Sequence, residues 1–172
     1  MIRPLAVLSL LICVTFTLLI FAARAWGQTH PRAMLAYVVY SELHLLDLES
    51  HFRFNFGVTV FGFPTWSTDG RLAFVSGRGR NREIYVWDGA SFTNISQHTA
   101  YDYDPAWSAD GRLAFVSERD INREIYVWDG VSLTNVSRNR LADDSPVWNA
   151  DGRLAFVSER DGNAEIYVWD GV

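Results

Sequence analysis

Residues 64–104 read PTWSTDGRLAFVSGRGRNREIYVWDGASFTNISQHTAYDYD, and residues 105–145 read PAWSADGRLAFVSERDINREIYVWDGVSLTNVSRNRLADDS. The two stretches are identical at 26 of 41 positions without a gap. A third copy, PVWNADGRLAFVSERDGNAEIYVWDGV, occupies residues 146–172, and a degenerate copy precedes the first, with LAYVV at 35–39 in the place of LAFVS. A fixed period of this kind is typical of proteins built from stacked structural repeats. We therefore predict one recurring structural unit along most of the chain.

Each copy contains four short strand candidates separated by turn sequences. The dipeptide Asp-Gly follows the first and third strands, and it supplies the positive φ angles that a tight hairpin requires. The second and third strands, LAFVS and EIYVW, are apolar at nearly every position, so both of their faces must be covered. The fourth strand, FTNIS or LTNVS, mixes polar and apolar residues. This gradient predicts propeller blades whose inner strands are sandwiched between neighbouring blades and whose outer strand meets water.

The repeat has the form P-x-W-S-x-D-G-R-L-A-F-V-S-x-R, followed by N-x-E-I-Y-V-W-D. It resembles the repeat of TolB-type β-propellers, which are related to WD-type repeats and also build the propeller of prolyl-oligopeptidase-like enzymes. The resemblance covers residues 64–172 well and residues 35–63 weakly, and the usual Pro of W-S-P-D-G is Thr68, Ala109 or Ala150 here. It implies a propeller fold and a binding role. The predicted fold is all-β: a partial β-propeller of about three to four blades with four-stranded antiparallel sheets, preceded by an N-terminal hydrophobic helix.

The repeats divide the chain into five segments. We predict a signal peptide or membrane anchor at residues 1–25, a linker with a degenerate first blade at 26–63, blades at 64–104 and 105–145, and an incomplete last blade at 146–172. A closed propeller ring needs at least about four complete blades. We expect a truncated gene or fragment, because the sequence stops just after the third strand of the last copy. Self-association that closes the ring and an open stack are the alternatives.

The N-terminal segment contains 19 successive uncharged residues, LAVLSLLICVTFTLLIFAA at 5–23. As a helix this stretch would reach roughly 28 Å, close to the roughly 30 Å thickness of a bilayer core, which favours a membrane anchor. Residues 23–25, Ala-Arg-Ala, have the small-x-small form of a signal-peptidase site, so a cleaved signal peptide is the alternative. A buried core helix is a third interpretation of this segment. With an anchor or a signal, the rest of the chain would lie on the periplasmic or extracellular side.

The charge balance and the missing motifs exclude several function classes. The chain has 15 basic and 20 acidic residues, no lysine, and a single cysteine, Cys13. An acidic, lysine-free chain argues against Schiff-base chemistry and against a nucleic-acid surface, which normally needs a basic stripe. The sequence contains no nucleophile elbow, no histidines at metal-ligand spacing and no dinucleotide fingerprint. We therefore predict no catalytic residues, no metal site and no cofactor.

The copies differ mainly in the loop between the second and third strands and in the connection between blades. If the strands run from inner to outer, these loops share one rim, here called the variable rim, at residues 77–80, 101–104, 118–121, 142–145 and 159–162. Drift of solvated loops would produce the same variation, but binding residues commonly occupy loops on a rigid scaffold. We predict a non-catalytic binding module for a protein or cell-envelope partner, with a remnant of a peptidase propeller or a structural repeat protein as alternatives. The candidate binding residues are Tyr101, Asp102, Asp104, Arg119, Asp120, Asp143, Asp144, Arg160 and Asp161.

Six tryptophans recur at equivalent places in the three best copies. Their repetition predicts packing within the core rather than stacking on a ligand. For the neighbours Arg119 and Asp120, and for Arg160 and Asp161, we expect either exposed ion pairs or a role in orienting the hairpin. The six tryptophans are Trp66, Trp87, Trp107, Trp128, Trp148 and Trp169.

Overall fold

The computed structural model describes residues 21–23, 32–77 and 81–171, and all regular elements in these ranges are β-strands. Strands that are neighbours in a sheet pair antiparallel. The strands are β1 (Phe21–Ala23), β2 (Arg32–Val39), β3 (Glu42–Asp47), β4 (Arg53–Trp66), β5 (Leu72–Ser76), β6 (Glu83–Trp87), β7 (Phe92–Asn94), β8 (Asp102–Trp107), β9 (Leu113–Ser117), β10 (Glu124–Trp128), β11 (Leu133–Asn135), β12 (Asp143–Trp148), β13 (Leu154–Ser158) and β14 (Glu165–Trp169).

The hydrophobic helix predicted for residues 5–23 lies outside the described residues except at its end. There Phe21–Ala23 is a strand that pairs with the start of β2, which differs from the prediction. Within the ranges that the structure describes, no helix has the length and apolar character needed to cross a membrane.

The strands build four blades in chain order. Strands β8–β11 form the third blade and β12–β14 the fourth, while the first two blades share the 14-residue strand β4. The first half of β4 pairs with β3, and its second half, from Val60, pairs with β5; that second pairing is interrupted by a register shift between Phe61 and Thr65, where Gly62 has φ 74°. One continuous strand is therefore the outer strand of the first blade and the inner strand of the second. The predicted all-β propeller fold is confirmed, and the shared strand is the feature that the repeat pattern did not predict.

Three apolar clusters lie between successive blades. The side chains of the inner strands alternate, so that Leu72 and Phe74 of β5 pack toward the first blade, while Val75 of the same strand packs toward the third. The same arrangement recurs one blade further on, where Phe115 packs toward the second blade and Val116 toward the fourth. Because both faces are covered, every residue of LAFVS in β5 and β9 is buried. This packing explains the nearly continuous apolar pattern of the second and third strands.

The Asp-Gly turns connect neighbouring blades through arginine and tryptophan. Arg71 is held by Asp69, donates a hydrogen bond of 3.2 Å to the Gly111 carbonyl of the next blade, and lies 4.5 Å from the Trp107 ring centre. The Trp107 indole nitrogen donates back to the Thr65 carbonyl at 3.2 Å. Arg112 repeats the contact between the third and fourth blades. Its hydrogen bond to a carbonyl of the next blade is 3.0 Å long, and it lies 4.4 Å from the Trp148 ring centre. The tryptophans thus serve blade packing, as their repetition predicts.

Candidate functional site

The strand pairing assigns the loops to two rims. Asp102 is the register partner of Ser117, and the amide of Glu118 donates to the Tyr101 carbonyl at 2.9 Å, so the connection between blades lies beside the β9–β10 hairpin. The fourth blade has the same arrangement, with a hydrogen bond from the amide of Glu159 to the carbonyl of Ala142. The described part of the variable rim is therefore one continuous edge, as the sequence analysis expected. Residues 78–80 lie outside the described residues.

Two of the candidate carboxylates are buried. The side chains of Asp102 and Asp143 have no exposed surface, and they face Arg119 at 3.2 Å and Arg160 at 3.6 Å. Desolvation raises the pKa of Asp102 above its usual value, against the opposing charge and hydrogen bond of Arg119. These two Asp–Arg pairs therefore support the rim from within, and the carboxylates of Asp102 and Asp143 are not available on its surface.

Each of these arginines also contacts the preceding blade. Arg119 donates to the Ser96 carbonyl at 3.1 Å, and Arg160 donates to the Ser137 carbonyl at 3.3 Å. Arg119 lies 4.5 Å from the ring centre of Tyr126, and Arg160 lies 4.2 Å from the ring centre of Tyr167. These contacts link the rim of each blade to the preceding blade, although one carboxylate oxygen of Asp102 and one of Asp143 have no hydrogen-bond partner among the described residues.

The remaining candidates lie at the surface. Tyr101 is 37% exposed and Asp104 is exposed, whereas Asp144 is half-buried and pairs with Arg123 at 2.5 Å. Partial burial, followed by the charge of Asp144, raises the pKa of Asp104. The charge of Asp144 thus acts on Asp104, although Asp144 is itself paired with Arg123.

Asp120 and Asp161 accept hydrogen bonds from tyrosine hydroxyl groups. Tyr126 donates to Asp120 and Tyr167 donates to Asp161. Burial and the Asp120 carboxylate raise the pKa of Tyr126 to about 12. Of the two alternatives expected, the exposed ion pairs of Arg119 with Asp120 and of Arg160 with Asp161 are not the arrangement in the described residues, because each arginine faces the buried aspartate of its own blade.

A groove on the opposite rim was missed by the sequence analysis. It has a volume of about 230 Å³ and follows the inner edge of the second, third and fourth blades. The signal is present in the sequence, because the lining positions recur at the repeat period, but the repetition of the tryptophans favours packing over ligand stacking. The lining residues are Trp66, Thr68, Trp107, Ser108, Ala109, Trp148, Asn149 and Ala150.

The variable rim offers a partner hydrogen bonding and charge attraction. Its exposed side chains include those of Asp104, Asp120, Asp161 and Tyr101, which suit cationic or hydrogen-bond-donating side chains of a partner, and the connection before β12 also exposes Arg138 and Arg140. Among the residues that the structure describes, no group of three or more His, Cys, Asp or Glu side chains is arranged to hold a metal ion.

Comparison with known proteins gives one family match. A family profile for the TolB beta propeller domain matches residues 59–171. A search of curated proteins found no match.

Several solved structures are similar to the chain. TolB from Acinetobacter baumannii is 23% identical with a TM-score of 0.64, covering 80% of this chain and 38% of that one. The β-propeller domain of the trilobed protease from Pyrococcus furiosus is 14% identical with a TM-score of 0.61, covering 81% and 49%. Acylaminoacyl peptidase from Pyrococcus horikoshii is 19% identical with a TM-score of 0.59, covering 88% and 24%. The chain thus spans less than half the length of each, and these likenesses concern the fold alone.

Proposed function

The chain belongs to the TolB β-propeller domain family, and from this premise we propose that it is a non-catalytic binding module that docks a protein or cell-envelope partner on its variable rim. One observation carries the proposal. Blades with nearly identical strands differ at this rim, and Asp–Arg pairs with buried carboxylates lie beneath the exposed carboxylates of Asp104, Asp120 and Asp161. Variable loops on a rigid support are the usual place for recognition residues.

The partner surface is proposed to be basic or rich in hydrogen-bond donors. Asp104 is exposed and close to Asp144, and Asp120 and Asp161 are exposed with one oxygen each occupied by a tyrosine hydroxyl. A partner that brings a cation near Asp104 would supply a counter-charge to a carboxylate for which no ion pair is found in the described part of the chain. Exposed rim charges of this type mainly affect association rate and salt dependence.

The rim proposal predicts that substituting Tyr101, Asp104 and Asp161 together by alanine weakens partner binding at least tenfold. The measurement is quantitative capture of envelope proteins on the immobilised chain, compared between this variant and the unchanged chain. Asp151→Ala is the control, because Asp151 is exposed and is the aspartate of an Asp-Gly turn on the opposite rim. Equal capture by the triple variant, with its unfolding midpoint preserved, would remove the assignment.

We propose an exported location, at the periplasmic or extracellular face of a membrane. The support is the run of 19 uncharged residues at 5–23, which has the length of an anchor and is followed by a small-x-small sequence. Self-association that closes the ring remains a prediction, and sedimentation of the full chain would measure it.

A second candidate function is the remnant of a peptidase propeller. The likeness to the propeller of the trilobed protease and to acylaminoacyl peptidase favours it. The genomic sequence downstream of residue 172 discriminates between the candidates. An in-frame nucleophile elbow would favour the peptidase, and further repeats of 41 residues would favour the binding module.

A further inference from the structure

Two hairpin tips on the variable rim carry large side chains that lie in solvent. Tyr40 occupies the turn between β2 and β3 and is 93% exposed, and Ile121 occupies the turn between β9 and β10 with its whole side chain exposed. The two tips lie on the same rim, because each connects the second and third strands of its blade. Neither side chain therefore contributes to the packing between blades.

The backbone at both tips is in the left-handed region, with φ 51° at Tyr40 and 79° at Ile121. This conformation is costly for any residue with a side chain, and most of all for a β-branched one such as isoleucine. The equivalent position in the fourth blade is Gly162 with φ 94°, where the same turn forms without that cost. Ile121 thus adds backbone strain and no internal packing, which favours a role in contact with another surface.

A second apolar side chain lies beside the tip of the third blade. Asn122 follows Ile121 and donates to the carbonyls of Leu141 at 2.8 Å and of Asn139 at 3.3 Å, so the connection before β12 is held against the hairpin. Leu141 is 44% exposed. The third blade therefore presents two exposed apolar side chains at one place on the rim, and clustered apolar side chains mark contact surfaces.

The charged groups around these apolar side chains are of both signs. Arg138 and Arg140 are exposed in the same connection as Leu141. Asp120 precedes Ile121 and is also exposed, and the hydrogen bonds that it accepts from Tyr126 and Asn135 both reach its Oδ2 atom. Apolar side chains beside cations and anions match the surface of a bilayer, where phosphate and ammonium groups lie above the hydrocarbon.

The chain reaches its first described strand from the side of the variable rim. β1 is antiparallel to β2, and its first residue, Phe21, is the register partner of Met34. Since β2 runs toward the turn at Tyr40, β1 runs away from it, and the residue before Phe21 is joined to the end of β1 that is nearer to the variable rim. The uncharged run that starts at Leu5 leads into this end. Insertion of that run into a bilayer would therefore bring the variable rim toward the lipid.

We propose that the variable rim rests on a lipid bilayer whose headgroups carry ammonium and phosphate groups, as those of phosphatidylethanolamine do. Ile121 and Leu141 leave water at the hydrocarbon boundary, and Tyr40 takes the interfacial position that suits an amphipathic ring. The two exposed arginines of the connection before β12 face lipid phosphates, and Asp120 accepts hydrogen bonds from ammonium groups. The inference rests on the proposed function, because it names a lipid surface as the envelope partner of the rim.

The test places an environment-sensitive fluorophore at position 121 through Ile121→Cys, in the full chain with Cys13→Ser so that one thiol reacts. Vesicles of phosphatidylcholine and phosphatidylethanolamine are expected to shift its emission to shorter wavelength, and a nitroxide on the lipid headgroup is expected to quench the emission at least twofold. Replacing phosphatidylethanolamine by phosphatidylglycerol is expected to lower the shift, because phosphatidylglycerol has no ammonium group and the chain is acidic.

Val131→Cys is the matched control for the labelled position. Val131 is 95% exposed and lies in the turn after β10, on the opposite rim. Its label is expected to stay in water when vesicles are added, even where residues 5–23 insert. The comparison therefore separates contact by the rim from attachment through the N-terminal segment.

Three results would overturn the proposal. They are an unchanged emission at position 121 with vesicles, equal quenching at positions 121 and 131, and an equal or larger shift with phosphatidylglycerol. A label at position 121 that responds to an envelope protein and not to lipid gives the first result and assigns the tip to a protein partner. Loss of capture by the variant of Tyr101, Asp104 and Asp161 would then still support the proposed function, so the two proposals fail separately.

Discussion

Replacing Phe115 by alanine is expected to destabilise the protein by about 3–5 kcal/mol, the usual cost of removing a buried aromatic ring. Phe115 has no exposed surface and packs between the second and third blades, in a cluster with Val75 and Ile84. Its ring also stacks on Tyr126 at 6.2 Å between centres. The lost stability has two parts: the free energy that the ring gains by leaving water, and the cost of the cavity that the neighbouring blades cannot close. The measurement is the free energy of unfolding from a urea titration followed by tryptophan fluorescence.

Phe63→Ala is the control for the Phe115 variant. Phe63 is 69% exposed, so its removal is expected to change the free energy of unfolding by less than about 0.5 kcal/mol. If both substitutions had the same small effect, the interface between the second and third blades would not be a packed core.

Replacing Asp102 by alanine is expected to destabilise the protein by about 3 kcal/mol, because it leaves Arg119 without its buried counter-charge. The value lies at the lower end for a buried ion pair, since Arg119 keeps its hydrogen bonds to Ser117 and Ser96. The Asp102 side chain is fully buried, whereas that of Arg119 is 14% exposed. The free energy of unfolding at neutral pH measures the effect.

Asp151→Ala is the matched comparison for the Asp102 variant. Asp151 pairs with Arg153 at 3.5 Å, but the two side chains are 77% and 56% exposed, so this substitution is expected to cost less than about 1 kcal/mol. A loss of similar size in both variants would contradict the assignment of Asp102 as a structural residue. If the Asp102→Ala protein were stable but bound its partner less well, Asp102 would be a binding residue and not a structural one.

The strands of the repeat were predictable because their pattern depends on burial alone. LAFVS and EIYVW are apolar at nearly every position, and an Asp-Gly pair follows the end of the first and third strands in the three best copies. The long strand β4 was not predictable in this way, because residues 53–66 contain no Asp-Gly turn and have weak similarity to the repeat. It changes partner between Thr59, which is paired with Glu42 of β3, and Val60, which is paired with Ser76 of β5, and such a change depends on tertiary contacts.

The difference between buried and exposed residues of the variable rim could not be read from the sequence. Asp102 and Asp104 are two residues apart, and in a regular strand both would face the same side. A register shift between Tyr103 and Ala106, with φ 52° at Asp104, separates them, so that Asp102 is buried and Asp104 is exposed. The partner of Asp102 is 17 residues away in the chain, which no local pattern predicts.

The indole protons of Trp107 and Trp148 give the most direct test of contact between consecutive repeats. Each indole nitrogen donates to a carbonyl of the preceding blade, on Thr65 at 3.2 Å and on Ala106 at 3.1 Å. Nuclear magnetic resonance is expected to show slow hydrogen exchange at both indoles and Overhauser contacts to the preceding repeat. Exchange as fast as in free tryptophan, without such contacts, would contradict the stacking of the blades.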